Sequence, residues 1–424
     1  MNKRVVITGL GVVAPNGVGL PEFTHAIKNG VSGIRHDAQL QELQFSCQIA
    51  GQPQISDELK LEYFTELELR GFNSTGILYG VIAGIEAWKN AGLPIENNDN
   101  PDWDSGTIFG SGTSGIDKFR ESIYKIDELQ VRRLGSTVVA QTMNSGVSAY
   151  LGGKLGLGNQ VTTNSSACAT GTEAILMAYD RIQSGQAKRI LSGSTGDSGP
   201  YIWGGFDALR VCSSNYNDNT EQGSRPMSAS ASGFVPGSGA GALVIEDLET
   251  ALERGATIYA EILGGNVNSG GQRGNGSMTA PNSIAVQRCI TSAIYNSGIS
   301  ANDIDAINGH LTATTKDSLE IENWTKALGR SGTDFPYINS LKSMTGHCLS
   351  AAGSIESIAA VLQLHEGFVF GNTNCEDLHP EINALIDPLK VPLKTLNISP
   401  SIIAKASFGF GDVNACIIFK KFQK

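Results

Sequence analysis

The feature of this sequence that most limits its fold is the alternation of short apolar runs with longer segments of helical periodicity. Runs of β-branched and aliphatic residues that end at turn residues predict strands. They occur at Arg4–Thr8, Thr107–Phe109, Arg189–Ser192, Ala242–Ile245, Ile258–Leu263, Ile304–Ile307, Ile402–Ala406 and Ala415–Phe419. Apolar residues spaced three and four apart predict helices at Ile77–Asn90, Gly171–Ile182, Ser283–Asn296, Asp317–Leu328 and Ala351–His365. This alternation predicts an α/β protein with a largely parallel, helix-covered sheet.

Length and glycine content refine this prediction. A chain of 424 residues exceeds the size at which one hydrophobic core usually stops growing, so we expect two core-forming halves. The 51 glycines, against 14 prolines, indicate many tight turns and close backbone approaches. The glycine-dense stretches Ser232–Ala240 and Asn266–Gly276 are the strongest candidates for loops.

Charge and cysteine usage exclude several classes of protein. A net charge of -10 argues against a nucleic-acid binder, which needs a basic stripe to release phosphate counterions. The seven cysteines are scattered without a C-x-x-C pair, so a zinc or redox motif is not expected and a reducing cytoplasm fits best. No segment approaches the ~20 uninterrupted apolar residues of a membrane span. The apolar stretch at the start is too broken by Thr8, Gly9 and Gly11 to predict a secretion signal.

A glycine motif near the start partly matches the dinucleotide-binding fingerprint. It consists of Gly9, Gly11 and Ala14 after a predicted strand. The fingerprint needs a helix that opens directly after the glycines, and Pro15-Asn16-Gly17 interrupts the chain there. No acidic residue follows at the required spacing in a βαβ context. We therefore interpret the glycines as a structural turn.

Cys168 lies in a more informative setting. The small, polar stretch Thr162–Gly171 runs into an amphipathic helix, and Cys168 stands at the junction. A thiol at a helix N-terminus meets the positive end of the helix dipole and free N–H groups, which favour the nucleophilic thiolate. The alternative is a buried packing cysteine, which is the interpretation we adopt for the other cysteines.

Two histidines share an unusual setting. His310 and His347 each follow a glycine at the end of a predicted strand, which makes them candidates for one catalytic site. They lack H-x-x-x-H spacing and a nearby carboxylate cluster, so a metal site is not predicted. The third candidate is the turn Ser407–Asn414, where alternating Gly and Phe could present a main-chain N–H to an oxyanion and line an apolar channel.

Together and in this order, these segments resemble the β-ketoacyl-acyl carrier protein synthases, the elongating condensing enzymes of fatty acid and polyketide synthesis. The resemblance begins at VVITGLGVVAPNG, continues through SSACATGTEAI, SGFVPGSGAGALVIED and LKSMTGHCLSAAGSIE, and ends in SFGFGDVN. It implies the thiolase fold, in which two similar βαβαβαββ halves, here residues 1–255 and 256–424, pack as a five-layered αβαβα sandwich. The first half would hold Cys168 and the second both histidines.

The resemblance implies an acyltransferase reaction that needs no cofactor and no metal. Cys168 would accept an acyl group, and a malonyl-acyl carrier protein would then lose carbon dioxide. His310 and His347 would stabilise the resulting enolate. The main-chain N–H groups of Cys168 and Phe410 would hold the tetrahedral oxyanion of the condensation. The product would be a 3-oxoacyl-acyl carrier protein.

Other residues acquire expected roles by matching the family pattern. Lys342 and Glu356 match an ion pair that orients the site, in which loss of one member would be costly. Phe410 matches a gating phenylalanine, and Thr113 stands where the acyl pocket usually has an aliphatic residue. The expected substrate-binding residues are Thr113, Phe408, Phe410, Thr312 and Thr314.

The sequence departs from the family pattern at two loops and one surface. The usual His-Gly-Thr-Ser-Thr is His310–Thr314 (HLTAT) here, and Asp317 arrives one position early, so that loop must be rebuilt. The usual GFGG is GFGD, which places Asp412 beside the gate, where we expect it to reshape the channel or its mouth. The basic cluster expected near Arg70 is missing. The remaining candidates for docking a carrier protein are Arg132, Arg133 and Arg210.

The expected partners are an acyl carrier protein with its acyl and malonyl thioesters, and either a second copy of this chain or a related subunit.

Two alternative functions are compatible with the same fold. A non-catalytic partner subunit that shapes chain length would have no need of Cys168, His310 and His347. A coenzyme A-dependent thiolase would use a second cysteine as a base, whereas paired histidines and the GFG turn favour decarboxylative condensation.

Overall fold

The computed structural model describes residues 3–95 and 99–423, and the elements below belong to those ranges. The strands are β1 Val5–Ala14, β2 Gly17–Val18, β3 Ile34–His36, β4 Ile49–Gly51, β5 Ser105–Ser111, β6 Val161–Thr162, β7 Arg189–Gly196, β8 Gly239–Asp247, β9 Ala260–Ser269, β10 Ala306–Asn308, β11 Tyr337–Asn339, β12 Ile402–Gly409 and β13 Val413–Lys420.

The helices are α1 Leu20–Asn29, α2 Ala38–Glu42, α3 Asp57–Leu61, α4 Glu66–Leu69, α5 Thr75–Asn90, α6 Ile116–Asp127, α7 Val138–Thr142, α8 Gly146–Leu155, α9 Thr170–Gln183, α10 Pro200–Ala208, α11 Leu248–Glu253, α12 Ser283–Asn296, α13 Asp317–Leu328, α14 Lys342–Thr345, α15 Ala352–Glu366 and α16 Pro380–Leu385. Short 3₁₀ helices lie at Val131–Arg133, Ala167–Ala169, Thr220–Gln222, Ala301–Asp303, Leu349–Ala351 and Pro388–Lys390.

The main sheet is built from two halves with the same strand order. The N-terminal half runs β6-β5-β7-β8-β1 and the C-terminal half runs β11-β10-β12-β13-β9. Antiparallel pairing of Val5–Ile7 with Ala260–Ile262 joins β1 to β9 and so connects the halves. Along the chain, each half follows the order βαβαβαββ, through α5, α8 and α9 in the first and α12, α13 and α15 in the second. The structure therefore contains the duplication that the family resemblance implied.

The helices form three layers around this sheet. Helices α5 and α8 pack with the outer face of the N-terminal half, and α12 and α13 pack with that of the C-terminal half. Helices α9 and α15 lie between the halves in the central core. At their contact a Cβ on Gly171 would lie 2.4 Å from Ser354 N, and one on Gly353 would lie 2.6 Å from Thr172 N. Glycine at both positions lets the two helix starts touch, which brings together the loops that precede them.

The sheet is mixed rather than largely parallel, so that prediction is wrong. Strands β5, β6 and β7 are parallel, as are β10, β11 and β12. The last strand of each half, β8 or β13, runs antiparallel to both of its neighbours in that half. The error has a simple physical source, because β8 and β13 follow their neighbours without an intervening crossover helix across the sheet.

The glycines of the apparent dinucleotide motif lie inside β1, so our interpretation of them as a turn is also wrong. A Cβ on Gly9 would lie 2.3 Å from Ala87 O, and one on Gly11 would lie 2.1 Å from Ala83 O. Both residues therefore allow α5 to pack directly against the strand. The strand continues to Ala14, so no helix opens after the glycines to receive a pyrophosphate.

The predicted bounds of α12 and α13 are confirmed at both ends. The loop predicted at Asn266–Gly276 begins later, because Asn266–Ser269 pairs with β13 as the end of β9.

In the part of the chain that the structure describes, no helix combines the length and apolarity needed to cross a bilayer.

Candidate active site

Loops that follow equivalent strands of the two halves meet at one place. The segment after β6 carries Cys168, the segment after β11 carries Lys342 at the start of α14 and His347 just beyond it, and the loop after β10 carries His310. One donor atom from each of Cys168, His310 and His347 lies within 4.8 Å of the others. The contact between α9 and α15 therefore brings together side chains from both halves.

Cys168 occupies a tight turn just before α9. It lies in the 3₁₀ turn Ala167–Ala169, and the preceding Ala167 has a positive φ of 49°. A non-glycine residue in the left-handed region is strained by about 1–3 kcal/mol, and such strain clusters at functional sites. The turn places the thiol 3.2 Å from Nε2 of His347, a residue of the C-terminal half.

The thiol of Cys168 is not acidic in this structure. Burial raises the pKa of Cys168 to about 11, while the Lys342 ammonium and the main-chain N–H groups of Phe410 and Cys168 act in the opposite direction. Our expectation that the helix terminus would favour thiolate is therefore outweighed by desolvation. The same two N–H groups lie beside the sulfur, which is where an oxyanion on a bound acyl carbon would form.

His347 is held in a single orientation by hydrogen bonds at both ring nitrogens. Its Nε2 lies 3.2 Å from Cys168 Sγ. Its Nδ1 accepts from the main-chain N–H of Leu349 at 3.3 Å. Because Nδ1 is the acceptor, a neutral ring carries its proton on Nε2 and donates it toward the sulfur. His347 is thus arranged as a hydrogen-bond donor in the site.

His310 lies against His347 in an edge-on arrangement, with ring centroids 5.4 Å apart and planes at 82°. Phe408 packs on its other side at 6.1 Å. Burial lowers the pKa of both imidazoles well below the usual value, and the Lys342 and Lys405 ammoniums lower each further. Both histidines are therefore neutral near pH 7. Nδ1 of His310 is buried without a hydrogen-bond partner among the described residues.

A buried ionic cluster lies beneath the histidines. Lys342 Nζ donates to the carbonyl of His310 at 2.6 Å and is paired with Glu356. Lys405 Nζ lies 2.7 Å from the other oxygen of Glu356. The predicted pair is therefore a triad of two ammoniums and one carboxylate. Sequence reasoning missed Lys405, although a lysine inside the apolar run Ile402–Ala406 was a signal for a buried ion.

The rebuilt loop after His310 is held by two buried carboxylates. Glu320 accepts from the main-chain N–H groups of His310 and Leu311, both at 2.7 Å. Asp317 accepts from Thr312 N and Ala313 N at 2.9 and 3.0 Å. Burial raises the pKa of Glu320 to about 7. The loop is thus supported from α13, and Glu320 is a second supporting residue that sequence reasoning did not identify.

Two cavities meet at Cys168. The first, which we call the histidine cavity, has a volume of about 260 Å³ and contains His310, His347 and three predicted residues, namely Phe408, Thr312 and Thr314. The second, which we call the Asp197 cavity, has a similar volume and contains Asp197 and the predicted Thr113. The residues common to both cavities are Cys168, Phe206, Leu349 and Phe410. Phe410 therefore stands at the junction of the two cavities.

Asp412 lies beside the gate in the sequence but lines neither of these two cavities. Its buried carboxylate accepts from Asn282 N at 2.8 Å and Gln272 N at 3.0 Å. A Cβ on Gly270 would lie 2.1 Å from the same carboxylate. Asp412 therefore ties the 270–282 loop, which supplies Thr279 and Pro281 to the histidine cavity, to the turn that carries Phe410.

The thiol of Cys168 and the imidazoles of His310 and His347 are groups that can bind a metal ion. Three such groups within 4.8 Å fit the geometric need of a soft cation. The electrostatics do not favour one, because Lys342 and Lys405 lower the pKa of the imidazoles by repelling positive charge. The same two ammoniums would repel a metal ion placed among these donors.

Comparison with known proteins gives matches over nearly the whole chain. The model described as "Beta-ketoacyl synthase, N-terminal domain" matches residues 2–251, and "Beta-ketoacyl synthase, C-terminal domain" matches residues 259–376. The chain is 33% identical to 3-oxoacyl-[acyl-carrier-protein] synthase I, chloroplastic, of Arabidopsis thaliana, over 99% of this chain and 87% of that protein. It is 32% identical to 3-oxoacyl-[acyl-carrier-protein] synthase 2 of Vibrio harveyi, over 100% and 99%.

Solved structures show the same architecture. One is a type II PKS acyl-carrier protein in complex with its ketosynthase bound to the hexaketide, with a TM-score of 0.87, 28% identity and full coverage of both chains. Another is the ishigamide ketosynthase/chain length factor, with a TM-score of 0.87, 26% identity and full coverage of both chains. The predicted duplicated five-layered fold is confirmed.

Proposed function

This chain belongs to the β-ketoacyl synthase family, and on that premise we propose that it catalyses decarboxylative condensation of an acyl group with a malonyl thioester. The product is a 3-oxoacyl thioester, carried by an acyl carrier protein in fatty acid or polyketide synthesis. The observation that carries the proposal is the donor geometry at His347. Its Nε2 faces Cys168 Sγ at 3.2 Å while Nδ1 accepts from Leu349.

Acylation is the first half of the proposed reaction. The sulfur of Cys168 attacks the carbonyl carbon of an acyl thioester, the bond from that carbon to the carrier sulfur breaks, and the carrier thiol leaves with the proton that Cys168 gives up. Since the pKa of Cys168 is raised to about 11, the thiol is the resting form. The hydrogen bond from His347 Nε2 favours the anion that forms as attack begins.

Decarboxylation is the second step. The bond between the malonyl α-carbon and its carboxylate breaks, carbon dioxide leaves, and the electron pair moves into the thioester as an enolate. Neutral imidazoles at His310 and His347 donate hydrogen bonds to the enolate oxygen. Their lowered pKa suits this role, because a neutral donor stabilises the enolate without trapping it as the protonated enol.

Condensation completes the cycle. The enolate carbon attacks the acyl carbon on Cys168, and the N–H groups of Cys168 and Phe410 receive the negative oxygen. Collapse breaks the bond to Cys168, whose sulfur takes up one proton from solvent. The extender thioester occupies the histidine cavity and the acyl chain occupies the Asp197 cavity. Lys342, Glu356 and Lys405 position the imidazoles from beneath.

The carrier protein docks at the mouth of the histidine cavity. Lys316 lines this mouth, and the exposed Arg210 is adjacent to Val211, another lining residue. Both cations suit an acidic carrier. Arg132 and Arg133 lie on the separate 3₁₀ helix at Val131–Arg133, where they border a shallow surface depression. We therefore favour Lys316 and Arg210 as docking residues over the other two arginines.

The test is a product assay with purified protein. Acyl and malonyl pantetheine thioesters are supplied, because they do not depend on the identity of the carrier. We expect a 3-oxoacyl product with one carbon dioxide released for each condensation. No product and no carbon dioxide, in protein that is folded by circular dichroism, would favour the alternative of a non-catalytic subunit that acts within a heterodimer.

A further inference from the structure

The tip of the hairpin between β12 and β13 carries Phe410, whose main-chain N–H faces the sulfur of Cys168. The ladder of this hairpin ends at the pair of Gly409 and Val413. Phe410 stands just beyond that pair, with Gly411 on its other side. Glycine leaves the main chain more conformational freedom than any other residue. Contacts from outside the hairpin are therefore needed to fix the direction of the Phe410 N–H.

Asp412, the last residue of the tip, provides such contacts. Its side chain is buried, and Oδ1 accepts from Asn282 N at 2.8 Å. The other oxygen, Oδ2, accepts from Gln272 N at 3.0 Å. Beside it, the N–H of Gly411 donates to the carbonyl of Met278 at 2.8 Å. The tip is thus bound at several points to the loop that precedes α12.

This 270–282 loop offers a firm anchor for the carboxylate. Asn282 is the N-cap of α12, and its side chain accepts from two main-chain N–H groups of the first helical turn. A carboxylate beside a helix N-terminus is also stabilised by the helix dipole. A Cβ on Gly270 would lie 2.1 Å from Asp412 Oδ2, and one on Gly276 would lie 2.5 Å from it. The loop therefore closes tightly around the side chain of Asp412.

We propose that Asp412 is a positioning residue, which holds the Phe410 N–H toward the carbonyl oxygen of an acyl group on Cys168. This inference rests on the proposed function, since it takes that N–H as one of the two oxyanion donors. The backbone supports the proposal, because Asp412 has a φ of 62°, in the left-handed region where glycine is preferred. The position thus carries a carboxylate with two main-chain partners where glycine would suit the backbone better.

The two histidines are held by other contacts. Nδ1 of His347 accepts from Leu349 N, and the main-chain N–H of His310 donates to Glu320. Acyl transfer and condensation both pass through a tetrahedral oxyanion at the acyl carbon, whereas the enolate faces the histidines. Loss of the Asp412 carboxylate should therefore slow acyl transfer and condensation more than the release of carbon dioxide.

The experiment compares the full-length wild-type protein with Asp412→Gly, in which glycine suits the left-handed backbone. Acyl transfer from an acyl pantetheine thioester is followed by intact mass, as the sulfur of Cys168 bonds to the acyl carbon and the pantetheine thiol leaves with the proton. Carbon dioxide release is measured with a saturating malonyl pantetheine thioester. We expect acyl transfer to fall about 10- to 100-fold, the usual effect of a small misplacement of a catalytic group. Carbon dioxide release should change much less.

Two further variants separate the carboxylate from general loosening of the loop. Asp412→Asn keeps one acceptor oxygen for the main-chain N–H groups, so its rate of acyl transfer should lie between those of wild type and Asp412→Gly. Ser277→Ala is the matched control, because the hydroxyl of Ser277 accepts within the loop, from Thr279 N and Ala280 N. This variant should transfer the acyl group at the wild-type rate.

Unchanged acyl transfer in Asp412→Gly would overturn the proposal. An equal loss of acyl transfer and carbon dioxide release in that variant, or a similar loss of acyl transfer in Ser277→Ala, would overturn it as well. If the wild-type protein shows neither acyl transfer nor carbon dioxide release, the proposed function itself is refuted, and this inference falls with it.

Discussion

The two halves of this molecule share one topology but contribute different chemical groups to the same site. The loop after β6 supplies Cys168, whereas its counterpart after β11 supplies Lys342 and His347. The loop after β5 supplies the small Thr113, whereas its counterpart after β10 supplies His310. The N-terminal half thus provides the proposed nucleophile and one end of a cavity, and the C-terminal half provides the proposed hydrogen-bond donors and positive charge.

The duplicated scaffold determines where these side chains meet, and the loops determine which chemical groups meet there. The contact of Gly171 with Gly353 would place any residues at these loop positions side by side. In this chain the resulting pair is a thiol and an imidazole 3.2 Å apart. Removal of Cys168 should therefore impair a different step of the proposed reaction from removal of His310 or His347.

The largest effect is expected when the N-terminal half loses its nucleophile. Cys168→Ala should lower the rate of condensation by about a thousandfold or more, because no acyl-enzyme forms. Carbon dioxide release from a malonyl thioester should persist, since the imidazoles lie on the other half. Steady-state product analysis measures the first quantity and trapping of carbon dioxide the second. Full condensation by Cys168→Ala would contradict the assignment of the nucleophile to the N-terminal half.

The reverse separation is expected from the C-terminal half. His310→Ala and His347→Ala should each lower carbon dioxide release about 100- to 1000-fold, the usual effect of removing one oxyanion donor. Acyl transfer to Cys168 should fall less than decarboxylation in both variants. Single-turnover mass measurements follow the acyl transfer. Unchanged carbon dioxide release in either variant would show that the histidine concerned does not stabilise the enolate.

The ionic triad makes the stability of the C-terminal half depend on Glu356. Glu356→Gln should lower the free energy of unfolding by about 3–5 kcal/mol, because it leaves the ammoniums of Lys342 and Lys405 buried without an anion. Denaturant titration measures the change. As a matched control, Glu356→Gln with Lys405→Met should recover part of the loss. A stability equal to wild type would mean that the lysines do not depend on Glu356.

The pH dependence of acyl transfer tests the environment of the thiol. Because the pKa of Cys168 is raised to about 11, the thiolate fraction should rise about tenfold per pH unit below that value. The rate of acyl transfer should therefore climb from pH 7 to pH 9 without a plateau. Both histidines remain neutral over this range, so they add no inflection. A plateau near pH 7 would indicate that the helix terminus outweighs burial after all.

Much of the scaffold was predictable from local patterns, and the exceptions have physical causes. Amphipathic periodicity predicted α12 and α13 with their observed bounds. The extent of β1 was not predictable, because Gly9 and Gly11 serve a helix that arrives some seventy residues later in the chain. The mixed sheet was missed because local periodicity says nothing about strand direction.

In the candidate site as well, some residues could be predicted from local sequence patterns and others could not. Cys168, His310 and His347 stand in local settings that pointed to chemistry, and the structure brings them together. Lys405 was overlooked, although its charge within an apolar strand was a usable signal. Asp197 follows β7 in a stretch with no distinguishing pattern, and its burial is evident only in the folded chain. Tertiary burial of a polar side chain in a stretch without such a pattern, as at Asp197, leaves no mark in the sequence.

The measurement that tests the account most directly is the mass of the protein after incubation with an acyl pantetheine thioester, followed by peptide mapping. The account predicts one added acyl group per chain, found on the peptide that contains Cys168 and absent from Cys168→Ala. An acyl group on another cysteine, or an unmodified chain under conditions in which condensation proceeds, would contradict the claim that the two halves join at an acylated Cys168.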